Sequence, residues 1–169
     1  MALAERVRHA DFLSRSMTAE QAAQHVAHGA TVGLSGFTGA GYPKALPQAI
    51  AAHAQSEHKA GRPYRINVWT GASTAPEVDG LLAAADAMAQ RLPFNSDAMA
   101  RKKINAGEID YIDMHLSHVA QHAWFGFLGR LDVAIIEIVG VTADGLLIPS
   151  TAVGNNKTWL EIADKVILE

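Results

Sequence analysis

The chain has 169 residues, 49% of them hydrophobic, with 14 Lys and Arg set against 17 Asp and Glu for a formal charge of −3. That length suits one domain with a buried core, the charge balance leaves no electrostatic footprint for nucleic acid, and the absence of cysteine removes disulfides, thiolate nucleophiles and cysteine metal sites together. No stretch approaches the ~18 apolar residues of a membrane span, and the N-terminus lacks the apolar core of a signal peptide, so a cytoplasmic protein without a membrane partner is expected.

Thr18 and Gln21 form a capping box, and Ala22, Ala23, Val26 and Ala27 give the apolar stripe of a helix that stops at His28-Gly29. Thr31 to Ser35 is a short apolar strand that breaks into a glycine-rich loop. Pro43 and Pro47 fit only the first turn of a helix continuing through Ala49, Ile50 and Ala51, so the loop is pinned between a strand and a helix N-terminus. Ile66 to Trp69 is a second buried strand, stopped by Thr70-Gly-Ala-Ser-Thr74, and Pro76 opens a helix through Leu81, Leu82 and Ala85.

Further on, Ser96-Asp97 caps a helix to about Asn105, with Arg101-Lys-Lys103 at its solvated C-terminal end and Gly107 as its stop. Ile109 to Ile112 reads as a short strand, and Leu116, Val119, Ala120 and Ala123 as a helical stripe. Leu131 to Val139 is nearly continuous in apolar residues, as a strand covered on both faces should be. Asp144-Gly145 is a hairpin turn into Leu146 to Ile148, and Lys165 to Glu169 reads as a strand cut midway. The alternation predicts an α/β fold: a mostly parallel sheet with helices on both faces and a β-hairpin elaboration.

Four glycines in nine positions (Gly33, Gly36, Gly39, Gly41) let the backbone turn sharply and approach a ligand with no Cβ in the way. A loop after a strand and before a helix is where open α/β sheets place their ligands, and its amides suit an anion or a carbonyl oxygen. Spacing excludes two common phosphate loops. Gly36 and Gly41 match the outer glycines of a Walker A loop, but Tyr42 and Pro43 stand where Lys and Ser or Thr must follow. The order Gly36-x-x-Gly39-x-Gly41 inverts the dinucleotide fingerprint, and no lone acidic residue closes the strand ending at Trp69. A plain β-to-helix turn is the alternative.

The loop resembles the N-terminal signature of class I coenzyme A transferases, with Gly36-Phe37 and Gly41-Tyr42-Pro43 in place, Ser35 where many members carry a further glycine, and His28 where Asp or Asn is usual. Ser35 to Lys44, Thr70-Gly-Ala-Ser-Thr74, Pro93-Phe-Asn-Ser-Asp97, Ile104-Asn-Ala-Gly-Glu108 and Val153-Gly-Asn-Asn156 follow the order of the acetyl-CoA hydrolase/transferase branch, most similar to its succinyl-CoA:acetate CoA-transferases. The resemblance runs from about Arg6 to Glu169. It implies the N-terminal domain of an enzyme that moves coenzyme A between an acyl-CoA and a small carboxylate through an enzyme glutamyl thioester. The attacking glutamate lies in a C-terminal half that these residues do not include, so this chain alone is expected to be inactive. The expected partners are acyl-CoA, a small carboxylate, the missing domain and a second copy in a homodimer. Acetyl-CoA hydrolase activity, or a noncatalytic fragment that holds CoA or another anion, are the other readings.

Attack of a carboxylate on a thioester creates an oxyanion, which fixed donors stabilise by about 3–4 kcal/mol each. The loop Gly36, Phe37, Thr38, Gly39, Ala40 and Gly41 either supplies such donors or forms the wall against the acyl group. Thr38 either adds a hydroxyl or bonds its own backbone. Ser73 and Ser96 open helices at strand ends and are read as helix caps or, by resemblance, as substrate-binding residues with Asn95 in the same pocket. The asparagines of Val153-Gly-Asn-Asn156 order their loop or face the bound carboxylate. His115, His118 and His122 line one helical face without the acidic or cysteine partners of a metal site, so no metal is expected. Glu137, inside the most apolar run, is a candidate paired carboxylate but does not match the family nucleophile.

Overall fold

The computed structural model describes residues 2–72 and 75–169. Six parallel strands form one sheet: β1 (Thr31–Leu34), β2 (Ile66–Trp69), β3 (Met88–Leu92), β4 (Asp110–Tyr111), β5 (Val133–Ile136) and β8 (Lys165–Leu168), in the order β4-β3-β2-β1-β5-β8. Between β5 and β8 the chain makes a separate antiparallel hairpin, β6 (Ile138–Val141) with β7 (Leu147–Pro149), turned at Asp144 and Gly145. The chain winds outward from β1 to β4 and returns to β5 on the other side of β1, so β1 and β5 flank the topological switch point.

Helices cover both faces. On one face α3 (Ala19–Ala23), α4 (Ala45–Lys59), α5 (Leu81–Ala84) and α6 (Ala98–Asn105) pack over Val32, Leu34, Ile66, Val68, Met88, Val133 and Ile135. On the other, α7 (Leu116–Trp124) and α8 (Asn156–Ile162) pack over Trp69, Leu92, Ala134 and Ile136 through Val119, Ala123 and Trp159. The period-2 alternation of the strands divides these sets. Two short N-terminal helices, α1 (Leu3–Arg6) and α2 (Ala10–Ser14), attach through a bridge between Val7 and Val141.

The sequence signals at helix ends are realised in part. Thr18 Oγ1 accepts from the Gln21 amide at 3.2 Å while the Gln21 side chain accepts from the Thr18 amide at 3.0 Å. Helix α3 ends at Ala23, before the expected stop, and the chain turns on to Gly29. For α6 the capping group is Asp97 rather than Ser96, its carboxylate accepting from the Ala100 amide at 2.9 Å. The run expected as one strand over residues 131–139 divides at Glu137, because β6 leaves the sheet to pair with β7 and the Ile138 amide bonds the Glu169 carbonyl at 2.8 Å.

The helix expected from Pro76 begins as a π-helical segment, Pro76–Gly80, before α5. Asp79 within it is fully buried and meets Arg91 of β3, also fully buried, through Nε at 2.7 Å and a second guanidinium nitrogen at 3.1 Å. Burial raises the Asp79 carboxyl above its ordinary value, and the guanidinium opposes that rise. A further Arg91 nitrogen donates to the Leu92 carbonyl. A bulge opposite Ile66 and Asn67 places both Met88 and Arg91 toward the same helix layer, opposite Ile66 and Val68. Replacing Asp79 by Ala removes the carboxylate that compensates a fully buried guanidinium, and chemical denaturation is expected to record a loss of about 3–5 kcal/mol, with Asp79→Asn losing less.

Candidate functional site at the sheet's switch point

Strand β1 delivers the glycine loop to the carboxyl end of the sheet. Phe37 and Ala40 exchange reciprocal backbone bonds of 2.8 and 3.0 Å, and between them Thr38 (φ 37°) and Gly39 (φ 86°) both take positive φ. That is a two-residue turn of the I′ kind, the tightest reversal a hairpin uses. Phe37, at 62% exposed, and Thr38 and Gly39 project into solvent, whereas Gly36 and Gly41 at the base are buried. Among the described residues the Thr38 and Gly39 amides donate to no protein acceptor.

The loop's base is pressed against the segment that follows β7. A Cβ on Gly36 would overlap the Ala40 carbonyl and lie 2.8 Å from the Gly41 carbonyl carbon, and one on Gly41 would lie 2.7 Å from the Ala152 amide nitrogen. On the facing segment, a Cβ on Gly154 would overlap Ser35 Oγ and lie 2.6 Å from the Gly36 carbonyl. The buried Ser35 hydroxyl accepts from the Asn155 amide at 2.8 Å, and the Asn155 side chain reaches the Thr70 carbonyl at 3.4 Å. Ends of β1 and β2 and the 150–155 segment therefore meet behind the turn.

The loop's exit is held by two carboxylates. Glu169 accepts from the amides of Lys44, Ala45 and Leu46 at 2.6, 2.9 and 2.7 Å, filling the N-terminus of α4. Glu137, at the end of β5, pairs with Lys44 Nζ and accepts from Ser150 Oγ at 2.6 Å. Lys44 Nζ also donates to the Tyr42 carbonyl at 2.7 Å and lies 4.2 Å from the Tyr42 ring centroid. The Tyr42 hydroxyl donates to Glu77 at 2.9 Å. Burial, then the bond and charge of Glu77, push the Tyr42 phenol up to about 12.

Of the other sequence candidates, Ser73 lies outside the described residues. Asn95 bonds within its own turn, its side chain joined to the Asp97 amide and carbonyl at 3.2 Å each. Ser96 is exposed and lines a cavity of about 200 Å³ with Ala75, Pro76, Asp97 and Ala98. His115, His118 and His122 stack edge to face at 5.5 and 5.8 Å. Among the described residues, no group of three or more His, Asp and Glu is arranged to hold a metal ion. A larger cavity of about 800 Å³ lies between α1, α2, β6 and β8 and does not include the glycine turn. Among the described residues no helix is long and apolar enough to cross a membrane. Sequence reasoning missed Ser35, Lys44 and Ser150 as parts of this framework; the signals available were a Ser at a strand end and a charge, Glu137, inside an apolar run.

The family model described as the acetyl-CoA hydrolase/transferase N-terminal domain matches residues 1–169. The chain belongs to the acetyl-CoA hydrolase/transferase family. It is 46% identical over 153 residues to the propanoyl-CoA:succinate CoA transferase of Escherichia coli strain K12, covering 90% of this chain and 31% of that protein. It is 40% identical over 165 residues to the succinyl-CoA:acetate CoA-transferase of Clostridium kluyveri, covering 98% of this chain and 30% of that protein. The chain thus spans about a third of the length of the curated relatives it matches. Its fold is shared with the crystal structure of glutaconate coenzyme A-transferase from Acidaminococcus fermentans, at a TM-score of 0.67 and 15% identity over 90% of this chain and 68% of that one.

In this family member Gly36→Ala must displace the turn, and the expected result is loss of the Phe37–Ala40 bonds, seen as changed amide shifts at residues 36–41 and a lowered melting temperature. A raised phenol pKa favours the folded state below the unfolded value of about 10, and that advantage is lost as pH rises through the folded value. Alkaline titration should therefore show Tyr42 ionising late, toward pH 12, with stability falling between about pH 10 and 12. Glu77→Gln should bring the Tyr42 transition down.

Proposed function

We propose that this chain is the N-terminal domain of an enzyme that transfers coenzyme A between an acyl-CoA and a small carboxylate of the acetate or succinate type. The reaction proceeds through a glutamyl-CoA thioester whose glutamate belongs to polypeptide outside these residues. Family membership supports the reaction class, and the exposed turn with its two uncommitted amides, standing at the switch point, carries the assignment of the site.

Phe37, Thr38, Gly39 and Ala40 face the acyl group, while Gly36 and Gly41 permit the close packing that holds them there. Asn95 and Ser96 border the carboxylate side. A tip amide placed beside the thioester carbonyl stabilises the oxyanion formed when the glutamate attacks, worth about 3–4 kcal/mol per well-placed donor. Coenzyme A enters as substrate, and no metal takes part. A cysteine-free composition suits a cytoplasmic setting, and the working form in this reading is a homodimer of the longer protein.

Transfer is preferred over hydrolysis because the two curated relatives described above are CoA-transferases, at 46% and 40% identity. The family description also names hydrolysis, in which water resolves the same intermediate. The test supplies succinyl-CoA or propanoyl-CoA with acetate to the 169-residue chain, alone and joined to the polypeptide that completes the length of its relatives. New acyl-CoA should appear only in the joined protein. Turnover by the isolated chain, or none in the joined one, would overturn the proposal, and thioester loss without a new acyl-CoA would select hydrolysis.

A further inference from the structure

Glu137 stands between two apolar segments, at the point where the chain leaves β5 for β6. A charge there needs a reason, and folding stability is a poor one. Its partner Lys44 is 46% exposed, and ion pairs open to solvent contribute little. What the carboxylate does is geometric. One oxygen takes Lys44 Nζ, which also holds the Tyr42 carbonyl, and the other takes the hydroxyl of Ser150. Tyr42 follows Gly41, and Ser150 precedes Ala152, the residue on which Gly41 rests. Glu137 therefore bolts together the two walls whose backbone contact supports the Phe37–Ala40 turn.

We infer that Glu137, acting through Lys44 and Ser150, is a positioning residue that fixes the glycine turn at the switch point. The inference rests on the reading of the turn as the acyl-facing wall, but its geometric part is measurable without substrate. Amide exchange followed by NMR on the 169-residue chain should show Phe37, Ala40 and Asn155 exchanging about tenfold faster in Glu137→Ala, while Val32 and Ile135 in the sheet keep their wild-type rates. Ser150→Ala, which removes a single part-buried hydrogen bond, should give a smaller change at the same three amides and keeps the test available should Glu137→Ala fold poorly. In the joined protein Glu137→Ala should lower kcat about tenfold with KM changed less than about twofold, since a displaced wall costs transition-state contact more than binding.

Uniform acceleration across loop and sheet would mean a general loss of stability and would overturn the inference, as would unchanged exchange at all three amides in both variants. Selective loosening of the turn in a joined protein that turns over no thioester would leave Glu137 as the bolt and refute the transferase reading instead.

Discussion

Two stretches of main chain, residues 35–41 and 150–155, approach so closely that no side chain fits between them. Gly36, Gly41 and Gly154 each sit where an added Cβ would meet backbone or the Ser35 hydroxyl. Everything at the carboxyl end of the sheet follows from that contact. With its base held, the turn cannot sink toward the core, so Phe37 stays in solvent, although burying a side chain of that size would be favourable by about 1.5–3 kcal/mol. The second stretch is itself placed by the β6–β7 hairpin, so the hairpin acts as a buttress for the loop rather than as an ornament at the sheet's margin.

The same end of the molecule is where a doubly wound sheet offers a crevice. Strands β1 and β5 send their chains apart, which opens the crevice between their ends. In this chain the gap is furnished asymmetrically: β1 contributes a turn of small residues and one aromatic ring, β5 and β8 contribute the carboxylates Glu137 and Glu169, and both acids are consumed by Lys44 and the start of α4. The acids brace the loop's exit while its tip presents amides, a division of labour that suits recognition of a polarised carbonyl.

Much of this was legible in the residues. β1 and β2 announced themselves by short apolar runs, α3 by Thr18 and Gln21, the end of α6 by Gly107, and the hairpin by Asp144-Gly145. The illegible parts share a cause: long-range partners that a local pattern cannot supply. β3 was overlooked because Gln90 and Arg91 interrupt its apolar character, and Arg91 is accommodated there by Asp79, twelve residues earlier and buried beside it. Leu131 to Val139 looked like one strand because its hydrophobicity is continuous, and only the pull of β7 and of Lys44 on Glu137 divides it. α8 was hidden by Gly154 and Asn155, whose loop character conceals that Trp159 a turn later is fully buried. At the site, the turn's location could be read, whereas the bonds of Ser35 and Ser150 join residues more than a dozen positions apart.

The Asp79–Arg91 pair has a bearing on assembly as well. A strand slipped by one residue presents its other face to the helices. For β3 that slip would turn a guanidinium away from Asp79 and into the aromatic layer of Trp69 and Trp159. Apolar strands tolerate such errors cheaply, but this one does not, because the slip would separate a buried charge from the carboxylate that compensates its burial. The ion pair thus proofreads the outer half of the sheet, admitting β3, and β4 beyond it, only in the alignment that also seats the π-helical turn.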